Sequence, residues 1–242
     1  MTRSAIFALL AFASPLALTA PALAQDAAPA ATAPATPMTQ EQIAAFNQAV
    51  SDFTAGQTAQ QAGDNAGAIA KYNAALPAIR TAVQSQPDNI DNVAFLANTL
   101  YATAAAHGAL QQFDQILPLF EESAPLWRKV VAAKPADAAS RNVLAGVLVQ
   151  LGNAKLTKQD KAGADPLYAE ALTLARKSVA EQADAASNNL LLSALIGSSQ
   201  TSTDPKVKDE AVTLGKKMVA DGTIDASNKP SIDILAGTKA AG

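Results

Sequence analysis

Residues 137–140 read Asp-Ala-Ala-Ser, and this short stretch predicts the fold because the chain returns to it. The same four residues occur at 184–187, and the close copy Asp-Ala-Ser-Asn lies at 225–228. Asp and Ser side chains accept hydrogen bonds from the free N–H groups at the start of a helix. We therefore predict that each copy ends one pair of helices and caps the next. Apolar, alanine-rich runs that begin near such a cap lie at 88–108, 136–156 and 183–200.

Four longer segments repeat as well. They begin at Tyr72, Phe120, Tyr168 and Lys208 and align without gaps, at spacings of 48, 48 and 40 residues. A period of this size is typical of helical-repeat architectures. One column of the alignment holds a cation in every copy and another holds valine. The two columns are Arg80, Arg128, Arg176 and Lys216, and Val83, Val131, Val179 and Val219.

The prolines of these segments predict helix boundaries. In the pairs at 165–166 and 204–205, Asp can cap a helix and Pro can occupy its first position, where a missing N–H costs nothing. Pro77 and Pro125 lie deeper in their segments, where a proline removes a helix hydrogen bond and clashes with the preceding turn. We expect these two residues to kink or break their helices.

The two ends of the repeat are predicted to be helical too. Residues 39–61 begin with Thr39 as cap and Gln42 in position to complete a capping box. Residues 225–237 begin a last helix without a partner, which would cover the final apolar face of a stack. The period-two alternation that indicates a strand is not found in the sequence. The predicted fold class is therefore all-α: an α-solenoid of about four helical hairpins plus a C-terminal capping helix.

The N-terminus has the features of an export signal. Arg3 precedes an apolar run that ends in Ala22-Leu23-Ala24, the small-residue pattern accepted by signal peptidases. We predict a cleaved signal peptide over 1–24; the alternative is an uncleaved membrane anchor. Residues 25–37, rich in Ala and Pro, are predicted to be a disordered tether. This leaves a repeat domain over 38–242 and a periplasmic location, or another secretory route.

Composition and motifs argue against catalysis. The chain has no cysteine, one histidine, and 18 basic against 21 acidic residues, for a formal net charge of −3. A mildly acidic chain without a basic run is a poor ligand for nucleic acid or anionic lipid, so we expect neither nucleic-acid binding nor stable membrane insertion after cleavage. His107 has no evident nucleophile or acid partner, and no metal or phosphate motif is present. We predict no enzyme activity, no cofactor and no metal.

The first helical pair resembles the tetratricopeptide (TPR) repeat family. The resemblance is specific for residues 53–76 and architectural for the rest of the chain to about residue 237. It implies a right-handed superhelix with a concave groove lined by the first helix of each pair. The matching positions are Gly56, Ala59, Gly63-Asp64, Ala68, Tyr72 and Ala75.

The same resemblance nominates asparagines as groove residues. An Asn side chain both donates and accepts, so it can hold a peptide backbone amide. The alternative for the three that begin an aliphatic run is a cap or first-turn role. Trp127 is expected to pack in the core, with a role as partner anchor as the alternative. The candidate groove residues are Asn47, Asn92, Asn98, Asn142 and Asn189.

Three hypotheses for function follow. The first is a periplasmic adaptor that binds a protein or peptide segment of the cell envelope in a concave groove. The second is a small-ligand or envelope-polymer binder with a pocket formed where the superhelix closes. The third, which one histidine and no cysteine disfavour, is an accessory domain or a cryptic enzyme. The sequence does not indicate the partner, the pathway or the oligomeric state.

Overall fold

The computed structural model describes residues 37–237, and this part of the chain is all-α, as predicted. It contains nine α-helices and one 3-10 turn, Phe113–Gln115, and no strand. The predicted signal peptide and all of the predicted tether except Pro37 lie outside the described residues. The helices are α1 Gln40–Gln61, α2 Asn65–Ser85, α3 Ile90–Ala109, α4 Ile116–Ala133, α5 Ala138–Thr157, α6 Lys161–Glu181, α7 Ala185–Thr201, α8 Pro205–Ala220 and α9 Lys229–Leu235.

The helices form two compact units of paired helices. The first unit holds α1–α4 and ends at residue 134; the second begins at residue 135 and holds α5–α9. The hairpins are α1–α2 and α3–α4 in the first unit, and α5–α6 and α7–α8 in the second. Within each unit the second helix of one hairpin packs on the first helix of the next. One continuous solenoid domain over 38–242 stays a prediction.

The repeated tetrapeptide caps helices at its first two occurrences. The Asp137 carboxylate accepts from the N–H groups of Ala139 and Ser140, at 3.0 and 3.1 Å. Asp184 and Ser187 form a complete capping box. Thr39 and Gln42 form the capping box predicted for α1. These contacts satisfy N–H groups that the helix itself leaves without acceptors.

The third occurrence is different, which corrects the predicted start of the last helix. α9 begins only at Lys229, with Asn228 as its N-cap, and spans seven residues. Asp225 lies in the preceding turn, where its backbone N–H donates to Asn189 Oδ1 at 2.8 Å. The prediction failed because this turn is held by a buried asparagine and not by a cap of its own.

The predicted start of α6 is also wrong, whereas that of α8 is confirmed. α6 begins at Lys161, and Asp160 caps it by accepting from Gly163 N–H at 2.8 Å. A Cβ at Gly163 would collide with that carboxylate, so the glycine permits the cap. Pro166 therefore lies inside the helix. In α8, by contrast, the Asp-Pro pair at 204–205 supplies the cap and the first residue, as predicted.

Pro77 and Pro125 do not break their helices, contrary to one of the two expected outcomes. α2 and α4 continue past them for eight residues each. Two residues after each proline, Ile79 and Trp127 are completely buried. Burying these large side chains stabilises the helix beyond the proline and offsets the lost hydrogen bond. The expectation that Trp127 packs in the core is confirmed.

In the α1–α2 and α5–α6 hairpins a tyrosine of the second helix packs against a glycine of the first. Tyr72 of α2 lies over Gly56 of α1, where an added Cβ would be 2.6 Å from the ring. In the same register of the second unit, Tyr168 of α6 lies over Gly152 of α5 and also over Gly197 of α7. Because glycine has no side chain, the helices approach closely enough to bury both rings fully.

Ion pairs at the predicted repeat position link successive hairpins. Arg80 of α2 makes two parallel hydrogen bonds to Glu122 of α4, both at 2.8 Å. Arg176 of α6 contacts Glu210 of α8 at 2.6 Å. Each arginine stands eight residues after its segment start, and each glutamate two residues after the start of the following segment. The equivalent positions thus have equivalent surroundings within each unit, which supports the repeat.

Candidate functional site

Two of the candidate groove asparagines take part in contacts inside their own unit. Asn92 is 5% exposed and donates to Gln86 Oε1 at 3.2 Å. Asn189 is 2% exposed and donates to the carbonyls of Ala185 and Thr223, at 2.9 and 2.8 Å. These side chains hold the ends of neighbouring helices. A role in ligand binding would require these bonds to open.

The other three candidates lie in different environments. Asn98 is buried within α3, at 5% exposure. Asn47 is exposed on α1. Asn142 is partly exposed on α5, and its Oδ1 is buried without a hydrogen-bond partner. Asn47, Asn92 and Asn98 belong to the first unit, and Asn142 and Asn189 to the second. A groove role for these five residues stays a prediction.

Within residues 37–237, no group of three or more His, Cys, Asp or Glu side chains could hold a metal ion. His107, at the end of α3, contacts Gln112 Oε1 through Nδ1 at 2.6 Å. Among the described helices, none has the length and apolar character required to cross a membrane.

Three hairpin turns share one backbone conformation, which the sequence reading missed. Gly63, Gln111 and Gln159 have positive φ angles of 81°, 58° and 61°, and they are spaced by 48 residues. In each turn the following residue donates its N–H to a carbonyl five residues earlier, at 2.9 Å. This is the left-handed ending by which many helices satisfy their last carbonyls. The three turns can therefore be compared position by position.

The α3–α4 turn lacks the helix cap that the other two turns have. Asp64 accepts from Gly67 N–H and Asp160 from Gly163 N–H, both at 2.8 Å. The equivalent positions in the α3–α4 turn are Gln112 and Gln115, and α4 has no side-chain cap. A 3-10 turn stands where the first turn of α2 and α6 is α-helical. This turn has lost an interaction that stabilises the other two.

The same turn exposes apolar side chains. Residues 109–115, which we name the 109–115 turn, are all exposed, and Leu110 and Phe113 are each 39% exposed. The first turn has alanine and asparagine at these two positions, and the third turn has lysine at both. Two large apolar side chains exposed at one turn make this turn a candidate contact surface.

A shallow cavity of about 510 Å³, widely open to solvent, lies beside this surface. Its lining combines three primary amides, an imidazole, a carboxylate and an aromatic ring. Each amide and the imidazole can both donate and accept hydrogen bonds, and the carboxylate accepts them. No arginine or lysine belongs to the lining. The lining residues are His107, Gln111, Gln112, Phe113, Asp114 and Gln115.

One signal in the sequence could have found this site. Aligning residues 62–67, 110–115 and 158–163 at the 48-residue spacing places Leu110 and Phe113 opposite small or polar residues. The exposure of these side chains and the cavity are visible only in the structure.

A scan against protein-family models gave no match, and a search of curated proteins found none that matches this chain.

Proposed function

We propose that this chain is a non-catalytic adaptor that holds a segment of another protein, and that the 109–115 turn is where it does so. The observation that carries the proposal is the contrast between this turn and its two equivalents. It has the same backbone but no helix cap, and it exposes Leu110 and Phe113 beside a polar cavity. Local departures from a consistent pattern are expected at functional sites.

The chemistry of the turn suits a peptide. Backbone amides need paired donors and acceptors, and the side chains of Gln111, Gln112 and Gln115 offer both. Leu110 and Phe113 can bury an apolar side chain of the partner, which supplies most of the affinity in small interfaces. No nucleophile and base are paired in the cavity lining, so binding accounts for its composition better than chemistry does.

The rest of the chain serves as a frame for this turn. The hairpin that carries this turn packs through the buried Phe120 and Trp127 of α4, and a loop that is ordered before binding loses less entropy when it binds. In this proposal the frame is a TPR-like solenoid, and the export signal directs it to the periplasm. The partner is then a protein of the cell envelope.

A second candidate function is favoured by the cavity itself. Its volume of about 510 Å³ equals that of many small-ligand pockets, but it is open to solvent and would cover only one side of a ligand; its lining is hydrogen-bonding with one aromatic ring. A small polar ligand or one unit of an envelope polymer would fit this description. In that case the ligand raises the melting temperature of the chain by mass action, and no protein is retained on it.

The proposal is tested by affinity capture with the full chain as bait. Three baits are compared on the same envelope extract: the natural chain, a Leu110→Ala/Phe113→Ala variant, and an Asn65→Ala control at the equivalent position of the first turn. We expect a discrete protein to be retained by the natural chain and the control and lost with the double variant. Equal retention by all three baits would place binding elsewhere on the chain.

A further inference from the structure

The 109–115 turn differs from the α5–α6 turn in charge as well as in polarity. Asp114 is the one carboxylate of the cavity lining, which holds neither lysine nor arginine. The α5–α6 turn has Lys158 and Lys161 where the 109–115 turn has its two apolar residues. The two turns share a backbone but differ in the charged side chains that they carry.

We propose that the 109–115 turn binds peptide segments that carry an aliphatic or aromatic residue close to a lysine or arginine. This inference rests on the proposed function and specifies the partner of that site. The apolar side chain contacts Leu110 and Phe113, and the cation lies beside the Asp114 carboxylate. In an extended peptide, residues two apart point to the same side, so both can face the turn at once.

The three glutamines of the cavity lining can hydrogen-bond to the peptide backbone. Gln111 lies between the two apolar residues in the sequence, and Gln115 follows Asp114. Gln112 contacts His107 through its oxygen, which leaves its NH2 group as a donor. A donor of this kind pairs with a peptide carbonyl. An acidic peptide is disfavoured because its carboxylate would lie close to Asp114 without a compensating cation in the lining.

Charge contributes selectivity here rather than most of the affinity. Asp114 is exposed, so its attraction for a cation is weakened by water and screened by salt. We expect a lysine peptide to bind about three- to tenfold more tightly than its glutamate analogue at low ionic strength. The preference should largely disappear at about 1 M salt, where the screening length falls to roughly 3 Å.

The test uses the full chain and three capped peptides: Gly-Leu-Ser-Lys-Gly, Gly-Leu-Ser-Glu-Gly and Gly-Ser-Ser-Lys-Gly. Binding is followed by NMR shifts of the glutamine side-chain amides in the 109–115 turn. The first peptide should bind most tightly, with weaker binding when either its leucine or its lysine is replaced. Asp114→Asn should abolish the difference between the lysine and glutamate peptides, whereas Asp209→Asn, an exposed carboxylate on α8, should preserve it.

The outcomes separate this inference from the proposed function. If both leucine peptides bind equally, the charge preference is wrong, while adaptor function stands as long as protein capture depends on the turn. If no peptide shifts these amides and the double variant still captures protein, both proposals fail. If maltotriose shifts them and no peptide does, the site takes a carbohydrate, and the peptide proposal is overturned.

Discussion

The α3–α4 turn and its equivalents in the α1–α2 and α5–α6 hairpins show how one backbone can serve two purposes. All three turns reverse the chain through one residue with positive φ. Two of them are closed by an aspartate cap, whereas the α3–α4 turn has no cap and exposes two large apolar side chains. A lost helix cap typically costs about 1 kcal/mol. The α3–α4 turn is therefore expected to be less stable than the other two, and we propose that its exposed side chains serve binding.

The hairpins differ along their second helices too. Tyr72 and Tyr168 each donate a hydrogen bond to an amide oxygen on the preceding helix, at 2.8 and 2.6 Å. The equivalent residue of the second hairpin is Phe120, which has no hydroxyl and packs against Tyr101 with ring centroids 6.2 Å apart. The hairpin that carries the divergent turn is therefore also the one without the tyrosine hydrogen bond.

The largest expected effect concerns the packing of Tyr168 against neighbouring helices. The methyl group of Gly197→Ala would overlap the Tyr168 ring more severely than a Cβ at Gly152, which would lie 2.7 Å from a ring atom. The ring is fully buried, so it has little space to move away. We expect a loss of about 1–3 kcal/mol in the free energy of unfolding, measured by urea denaturation. Leu110→Ala, in the exposed turn, is the control and should change it by about 0.5 kcal/mol or less. Equal stability of the two variants would contradict the described packing.

The next prediction uses the tyrosines. Burial raises the pKa of Tyr72 and of Tyr101 to about 12, and burial raises the pKa of Tyr168 as well. The neutral phenol is favoured in the folded state, so this stability is fully present below pH 10 and is lost as the pH rises towards 12. Absorbance at 295 nm should show no ionisation at pH 10.5 until denaturant is added. Ionisation of any of the three at its ordinary pKa would show that its ring is accessible.

The caps provide a direct comparison between turns. Asp64→Ala removes a cap and should lower the free energy of unfolding by about 1 kcal/mol, and Asp160→Ala should act in the same direction. Gln112→Ala at the equivalent position should be nearly neutral, since no helix N–H depends on that side chain. Thermal unfolding of the three variants measures this. A clear loss with Gln112→Ala would mean that this glutamine stabilises the turn in some other way.

The smallest expected effect comes from the backbone. Gln111→Gly should stabilise the chain by about 0.5–1 kcal/mol, because glycine adopts positive φ without strain. Gln159→Gly is the matched change in the third turn, with the same expectation. Differential scanning calorimetry can resolve both. A decrease in melting temperature for Gln111→Gly alone would show that the glutamine side chain contributes to the fold of the 109–115 turn.

Local signals in the sequence were enough for the helices but not for every boundary. Thr39, Asp137, Asp184 and the 204–205 pair all cap as predicted, because a cap acts within one turn of its own helix. The start of α6 was misplaced because both Asp160 and Asp165 could cap it. Asp160 is the cap, and its side chain accepts from the N–H of Gly163, three residues later. Helix capping is decided locally, so most of the fold could be predicted.

The candidate site could be predicted far less well. Asn189 resembles an exposed first-turn residue in the sequence, but the segment after α8 folds back and buries it. The exposure of Phe113 depends on how α3 and α4 end and begin, which no local pattern encodes. Contacts between residues distant in sequence determine both outcomes, and they are visible only in three dimensions.

The most direct test of the account replaces the divergent turn by its counterpart. In the grafted chain, residues 110–115 take the sequence of residues 62–67, which restores glycine at the positive φ, the aspartate cap and the glycine that receives it. The account predicts a higher melting temperature together with loss of the captured partner. A grafted chain that is less stable, or that retains its partner, would contradict it. The substitutions are Leu110→Ala, Gln111→Gly, Gln112→Asp, Phe113→Asn, Asp114→Ala and Gln115→Gly.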